Sequence, residues 1–221
     1  MPSHQQKLFW SQRRSCMIYS FLRRGVFTLL ILLAAGSVCA AGEPTELIRK
    51  ATDGVIAILN DPSLKGPDKT EEKVRKIREA VDKRFAWEEI SKRTLARYWK
   101  ERTPAERAEF IKLFGKLLER TYLDKVKEGY SGEKVLYVDE KVEGRYGRVR
   151  VMIVTKQNTE IPVEYRMLKK GDNWLIYDIS IEGVSLVNNY RKQFSHILSR
   201  SSYSELLERL RAKVEGTETI D

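Results

Sequence analysis

Asp178, Glu182, Ser185 and Arg191 crowd into the stretch DISIEGVSLVNNYRKQF (178–194), where a β-like run meets a helix-like run through Glu-Gly-Val-Ser. Two carboxylates four residues apart on a strand share a face and could divide acid and base work between them. A carboxylate beside a helix start also caps amides or pairs with a cation. Ser195 and His196, just downstream, invite a nucleophile–base reading. Neighbours on a helix point about 100° apart and do not face each other, which assigns that pair to the surface. Asp172-Asn173 reads as a turn, and no glycine-rich phosphate cradle or zinc-ligand spacing occurs. The enzymatic reading therefore rests on Asp178 or Glu182 as a base.

Composition narrows the chemistry further. Cys16 and Cys39 are the only cysteines, and His196 is the only histidine beyond residue 4. From residue 41 onward a disulfide, a thiolate nucleophile and a Cys-based metal site are excluded, and most Ser–His, Cys–His and His–metal schemes go with them. Residues 1–40 differ in kind from the rest. Lys7, Arg13, Arg14, Arg23 and Arg24 precede the ten-residue apolar run VFTLLILLAA, and small residues follow up to Ala40. That order predicts a signal peptide cleaved near Ala40. Ten apolar residues fall short of the about 20 that span a bilayer. The Gly-Ser-Val before Cys39 is a poor lipoprotein signal, and a start at Met17 would give a leader of ordinary length. Without residues 1–40 the chain keeps 36 basic and 31 acidic residues, a net charge of +5. The excess is dispersed, as in DKTEEKVRKIREAVDKR, with no basic block interleaved with aromatics; this argues against nucleic acid and leaves a mild attraction to anionic surfaces.

The elements that must position these residues follow from periodicity. Ile48, Ala51, Val55, Ile58 and Leu59 mark a first helix, and NDPSLKGPD (60–68) a loop. Asp68 and Glu71 suggest a capped second helix carrying Val74, Ile77, Val81 and Phe85. Short helical pieces cover Trp87 to Trp99. Thr103-Pro104-Ala105-Glu106 is the clearest start signal, with Thr as N-cap, Pro at the first position and Glu reaching back. The period then switches to two at Val135/Tyr137, Val149/Val151/Ile153, Ile161/Val163/Tyr165/Met167 and Trp174/Ile176, with turns at GRYG (144–147), KQNTE (156–160) and KKGDN (169–173). Two helices close the chain, Leu186 to Leu198 and one capped by Ser202 with Glu205. The prediction is one α+β domain over 41–215, its helices packed on one face of a curved, mainly antiparallel sheet of four to five strands, and a disordered tail over 216–221. Its interior is rich in aromatics, and periodicity does not distinguish a filled core from one that holds a cavity.

RTLARYWKERTPAERAEFIKLFGKLLERTY (93–122) and NWLIYDISIEGVSLVNNYRKQFSHIL (173–198), together with the leader, resemble the MlaC family of periplasmic phospholipid-binding proteins, also called toluene-tolerance ABC-transporter auxiliary proteins. The resemblance covers essentially all of the chain after the leader, most specifically in the W…YD…EGVSL…NYR..F block. The chain departs from the family pattern at Ala86, Ile90 and Ala96, where the family pattern has Asp, Met and Gly. The resemblance implies an NTF2-like or cystatin-like fold with an internal apolar cavity. It implies phospholipid as cargo with no cofactor, metal or catalysis, in a monomeric carrier in the periplasm of a Gram-negative bacterium that serves outer-membrane lipid homeostasis. The implied partners are an inner-membrane ABC transporter bearing an MCE-domain subunit and an outer-membrane lipoprotein–porin complex. A hopanoid-related lipid is a variant of the same reading. An NTF2-like enzyme, or an adaptor with a filled core, is the alternative. The inward apolar positions that would line the cavity are Phe110, Phe114, Leu117, Val151, Ile153, Val163, Tyr165, Met167, Leu186, Tyr190 and Phe194.

Overall fold

The computed structural model describes residues 42–128 and 132–216, all within one compact unit, Ala41–Asp221, and only the backbone of residues 122–128. The expected leader (1–40) and the tail beyond Gly216 lie outside the described residues. Period-two alternation becomes an antiparallel meander: β1 (Lys134–Glu143), β2 (Tyr146–Val154), β3 (Glu160–Lys170), β4 (Asn173–Ile181) and the two-residue β5 (Val184–Ser185), in that spatial order. A two-residue strand carries no period, which is why β5 is invisible in the sequence. Register shifts at Tyr137/Asp139 and Arg166/Met167 mark bulges, which bend and twist a sheet locally.

Six helices are described: α1 (Glu43–Asn60), α2 (Thr70–Asp82), α3 (Trp87–Leu95), α4 (Pro104–Glu128), α5 (Leu186–Leu198) and α6 (Tyr203–Glu215). α4 starts as its sequence dictates. The Thr103 amide donates to the Glu106 carboxylate at 2.7 Å, and the Glu106 amide donates to the Thr103 hydroxyl at 3.3 Å. The Thr103 amide, then the Thr103 hydroxyl that donates to the same carboxylate at 3.0 Å, holds the Glu106 carboxyl below the usual carboxylate range. Ser202 caps α6 by accepting from the Glu205 amide at 3.2 Å. The capping expected from Asp68 is not realised. Asp68 lies in a 3₁₀ turn (Pro67–Lys69) that runs into α2, and the residue at the N-cap is Lys69, with no side-chain cap.

α1 lies against β1, β2 and β4, and its start is tied to the sheet by polar contacts. The Glu43 carboxylate accepts from Lys169 Nζ and Trp174 Nε1, both at 3.1 Å, and the Glu140 carboxylate accepts the Thr45 amide at 2.8 Å. The Lys169 hydrogen bond, then that of Trp174, holds Glu43 below its ordinary pKa. Beneath this anchor, a Cβ at residue 147 would lie 3.0 Å from the Trp174 ring, so glycine there lets the indole settle on the backbone of β2.

Two apolar clusters result. Leu95, Phe110, Phe114, Leu117, Phe194, Leu206 and Leu210 anchor one among α3, α4, α5 and α6; Ile48, Val149, Val151, Met167, Trp174 and Ile176 form the other between α1 and the sheet. Phe85 packs against both. Its segment pairs with β4, the Ile176 amide donating to the Arg84 carbonyl and the Ala86 amide to the Ile176 carbonyl, each at 2.8 Å.

Candidate functional site

The elbow between β4 and α5 is built around Asp178. Its Oδ2 accepts the Ser185 hydroxyl at 2.6 Å and its Oδ1 accepts the Val187 amide at 3.0 Å, while the Arg166 guanidinium lies 3.8 Å away. Ser185 Oγ in turn accepts the Asn188 amide at 3.1 Å. Serine and aspartate together thus satisfy two of the first free amides of α5. Glu182 does neither. It sits exposed in the β4–β5 turn at φ 49, followed by Gly183 at φ 82, the paired left-handed conformation of a type I′ hairpin. The turn takes Glu182 off the strand, so the two carboxylates do not form an acid–base pair on one strand face. Arg191 donates from Nε to the Arg93 carbonyl at 2.8 Å and ties α5 to α3.

The helix-facing side of the sheet carries the other feature. Register aligns Val135–Ile153–Ile161, Tyr137–Val151–Val163–Ile181 and Val149–Tyr165–Ile179 in rows across the strands. The Gly147–Met167–Ile176 row is buried under α1, with Trp174 beside it. Towards the opposite end coverage falls: Val135, Ile153, Ile161 and Ile179 are partly accessible and Ile181 is 41% exposed. Tyr165 stands at the transition. Its hydroxyl has no hydrogen-bond partner among the described residues, and burial pushes its pKa up to about 12. Tyr137 lies across β2 with Arg49 of α1 4.1 Å above its ring, and burial raises its pKa too. The face is an apolar trough, closed at one end and incompletely covered at the other.

The eleven apolar positions singled out by sequence fall into two groups. Val151, Ile153, Val163, Tyr165 and Met167 share the trough face. Phe110, Phe114, Leu117, Leu186, Tyr190 and Phe194 belong to the helical cluster. There the rings pack on one another, with centroids 5.0 Å apart for Phe114–Tyr190, 5.3 Å for Phe114–Phe194 and 5.6 Å for Phe110–Phe194. Val135, Tyr137, Ile179 and Ile181 join the trough without having been singled out. Alternation along β1 already placed the first two on one face; the bulge opposite Met167 is what hid the others, because it shifts β4 by one residue. Among the described residues no group of three or more His, Cys, Asp or Glu could hold a metal ion, and no helix is long and apolar enough to cross a membrane.

A family model described as MlaC protein matches residues 49–212. The chain is 25% identical over 194 residues to the intermembrane phospholipid transport system binding protein MlaC of Haemophilus influenzae, covering 83% of this chain and 88% of that one. Its fold is similar to that of a phospholipid-binding protein from Ralstonia solanacearum solved in complex with a phospholipid, with a TM-score of 0.68, 24% identity, and coverage of 78% of this chain and 97% of the other. The expected α+β class is borne out.

Proposed function

The chain belongs to the MlaC family, and from that premise we propose that it is a phospholipid carrier whose cargo lies along the helix-facing side of the sheet. One observation carries the reading: the rows of Val, Ile and Tyr on that side are apolar throughout yet only partly covered towards Ile153, Ile161 and Ile181. An apolar wall left partly bare in a folded chain is surface for an apolar ligand. The trough set (Val151, Ile153, Val163, Tyr165 and Met167, with Tyr137 and Ile179) serves as wall for the acyl chains. The ring cluster of Phe110, Phe114, Leu117, Leu186, Tyr190 and Phe194 packs the helices on one another and serves as scaffold rather than wall.

Hydrocarbon in water costs about 0.8 kcal/mol per CH₂, so a tail of roughly 15 methylenes faces about 12 kcal/mol on leaving a membrane alone. An apolar pocket offsets that cost and keeps membrane-to-protein exchange near neutral, which a carrier needs in order to release its cargo. No bond is made or broken. Asp178, the one buried carboxylate of the elbow, spends both oxygens on Ser185 and Val187. In this reading residues 1–40 direct export and are removed, the mature chain works in the periplasm, and it exchanges lipid between an inner-membrane ABC transporter bearing an MCE-domain subunit and an outer-membrane lipoprotein–porin complex. The corresponding test is transfer of a self-quenched fluorescent phospholipid from donor to acceptor vesicles. Dequenching that accelerates with protein concentration supports the carrier; a rate equal to that without protein overturns it.

A further inference from the structure

A second concavity lies outside the sheet, between α1 and α2. It holds about 450 Å³ and is lined by Lys50, Ala51, Gly54 and Ile58 from α1 and by Lys76, Glu79, Ala80, Lys83 and Arg84 from α2 and the residues after it. Four cations thus face one carboxylate. That carboxylate is already engaged, Glu79 by Arg75 at 2.6 Å, and Lys76 has only a 3.8 Å pairing with Glu72, which Lys69 also reaches. The side chains of Lys50, Lys83 and Arg84 have no ionic or hydrogen-bonding partner among the described residues. In sequence these cations are dispersed among acids; the antiparallel pairing of two helices concentrates them.

The floor gives an independent sign. Gly54 sits in the interior of α1, where glycine weakens a helix by about 1 kcal/mol relative to alanine. Close packing does not call for it, because a Cβ there would meet nothing within 4 Å. With Ala51 and Ala80 it keeps the floor of the groove low and apolar between cationic walls.

We propose that the α1–α2 groove is a binding site for the phosphate-bearing headgroup of an anionic phospholipid at a membrane surface. Lys50, Lys83 and Arg84 would contact the phosphate and the Ala51–Gly54–Ala80 floor would receive the glycerol. Arg84 suits the task, since a guanidinium presents a planar fork of donors to phosphate oxygens. The geometry favours a headgroup over an acidic peptide because the floor is small and apolar, with no unpaired backbone edge for a peptide to follow. The site stands on the groove alone and not on the cargo reading. Each cation at an anionic surface contributes about 1 kcal/mol, or roughly fivefold in partition.

Co-sedimentation of the Ala41–Asp221 unit with vesicles of phosphatidylcholine alone, or with 30% phosphatidylglycerol, reads where the protein goes rather than where lipid goes. Its outcome is therefore separable from that of the carrier. The wild type is expected to bind the anionic vesicles preferentially. Lys50→Gln/Lys83→Gln/Arg84→Gln should lower that binding about a hundredfold, while Lys92→Gln/Lys112→Gln/Lys116→Gln, with the same loss of charge elsewhere, should retain most of it. Gly54→Leu, which fills the floor at constant charge, should lower binding severalfold with the circular dichroism spectrum unchanged. Equal losses in the two triple variants, full binding by Gly54→Leu, or binding of a polyglutamate peptide with none to vesicles would each overturn the proposal.

Discussion

Asp178 accepts the Ser185 hydroxyl at 2.6 Å across the β4–β5 turn, and the same carboxylate accepts the Val187 amide. What resembles an acid–base site in sequence is a helix cap: the carboxylate joins the end of the sheet to the start of α5. Asp178→Ala would strand a buried hydroxyl and a helix-start amide, while Arg166 keeps its closer partner Glu164 at 3.0 Å. Urea denaturation should show a loss of about 3 kcal/mol. Lipid bound per folded molecule should stay unchanged; loss of lipid binding at full stability would instead give Asp178 a part in the ligand site.

Ala96 follows α3 at φ 50 and ψ −119, the first central position of a type II′ turn, where glycine is the ordinary occupant. The position is exposed, so removing the methyl sacrifices no packing. Ala96→Gly should raise stability by about 1–2 kcal/mol, the reverse of the usual effect of glycine. A higher urea midpoint with an unchanged slope is the expected result.

Two tyrosines set an alkaline limit. Burial pushes both Tyr165 and Tyr203 to about 12 from an ordinary value of 10.0. A raised folded-state value means that the unfolded chain loses these protons first. The stability tied to them is complete below pH 10 and disappears as pH climbs from 10 to 12. The Tyr165 share is on the order of 2 kcal/mol. Tyr165→Phe should flatten the decline of the urea midpoint between pH 10 and 12, and titration of tyrosine absorbance should lose one late-ionising group.

The trough and the ring cluster should respond oppositely to substitution. Ile153→Trp adds bulk to the partly covered wall, so uptake of labelled phospholipid should fall at least tenfold while the melting midpoint moves little. Phe194→Leu shrinks a side chain that is 1% exposed and packed on Phe110 and Phe114. It should cost roughly 1–3 kcal/mol and leave affinity per folded molecule near that of the wild type.

Local chemistry made part of this legible in advance. The Thr103–Glu106 box, the Ser202 cap and the alternation of Val149, Val151 and Ile153 are each decided within a few residues, and each element stands where its residues put it. The apolar trough depends on longer relationships. Phe114 and Val151 both read as inward, yet one packs among rings and the other lies in the trough, because periodicity gives a face and not what lies opposite it. The role of Asp178 depends on a two-residue strand, and the cationic groove on helices that bring Lys50 beside Lys83.

Native mass spectrometry of the protein, purified without detergent, tests the carrier most directly. A population heavier by the mass of a phospholipid, lost on solvent extraction and restored on incubation with phospholipid vesicles, is the expected result. A single apo mass before and after incubation, from protein whose circular dichroism shows it folded, would contradict phospholipid carriage.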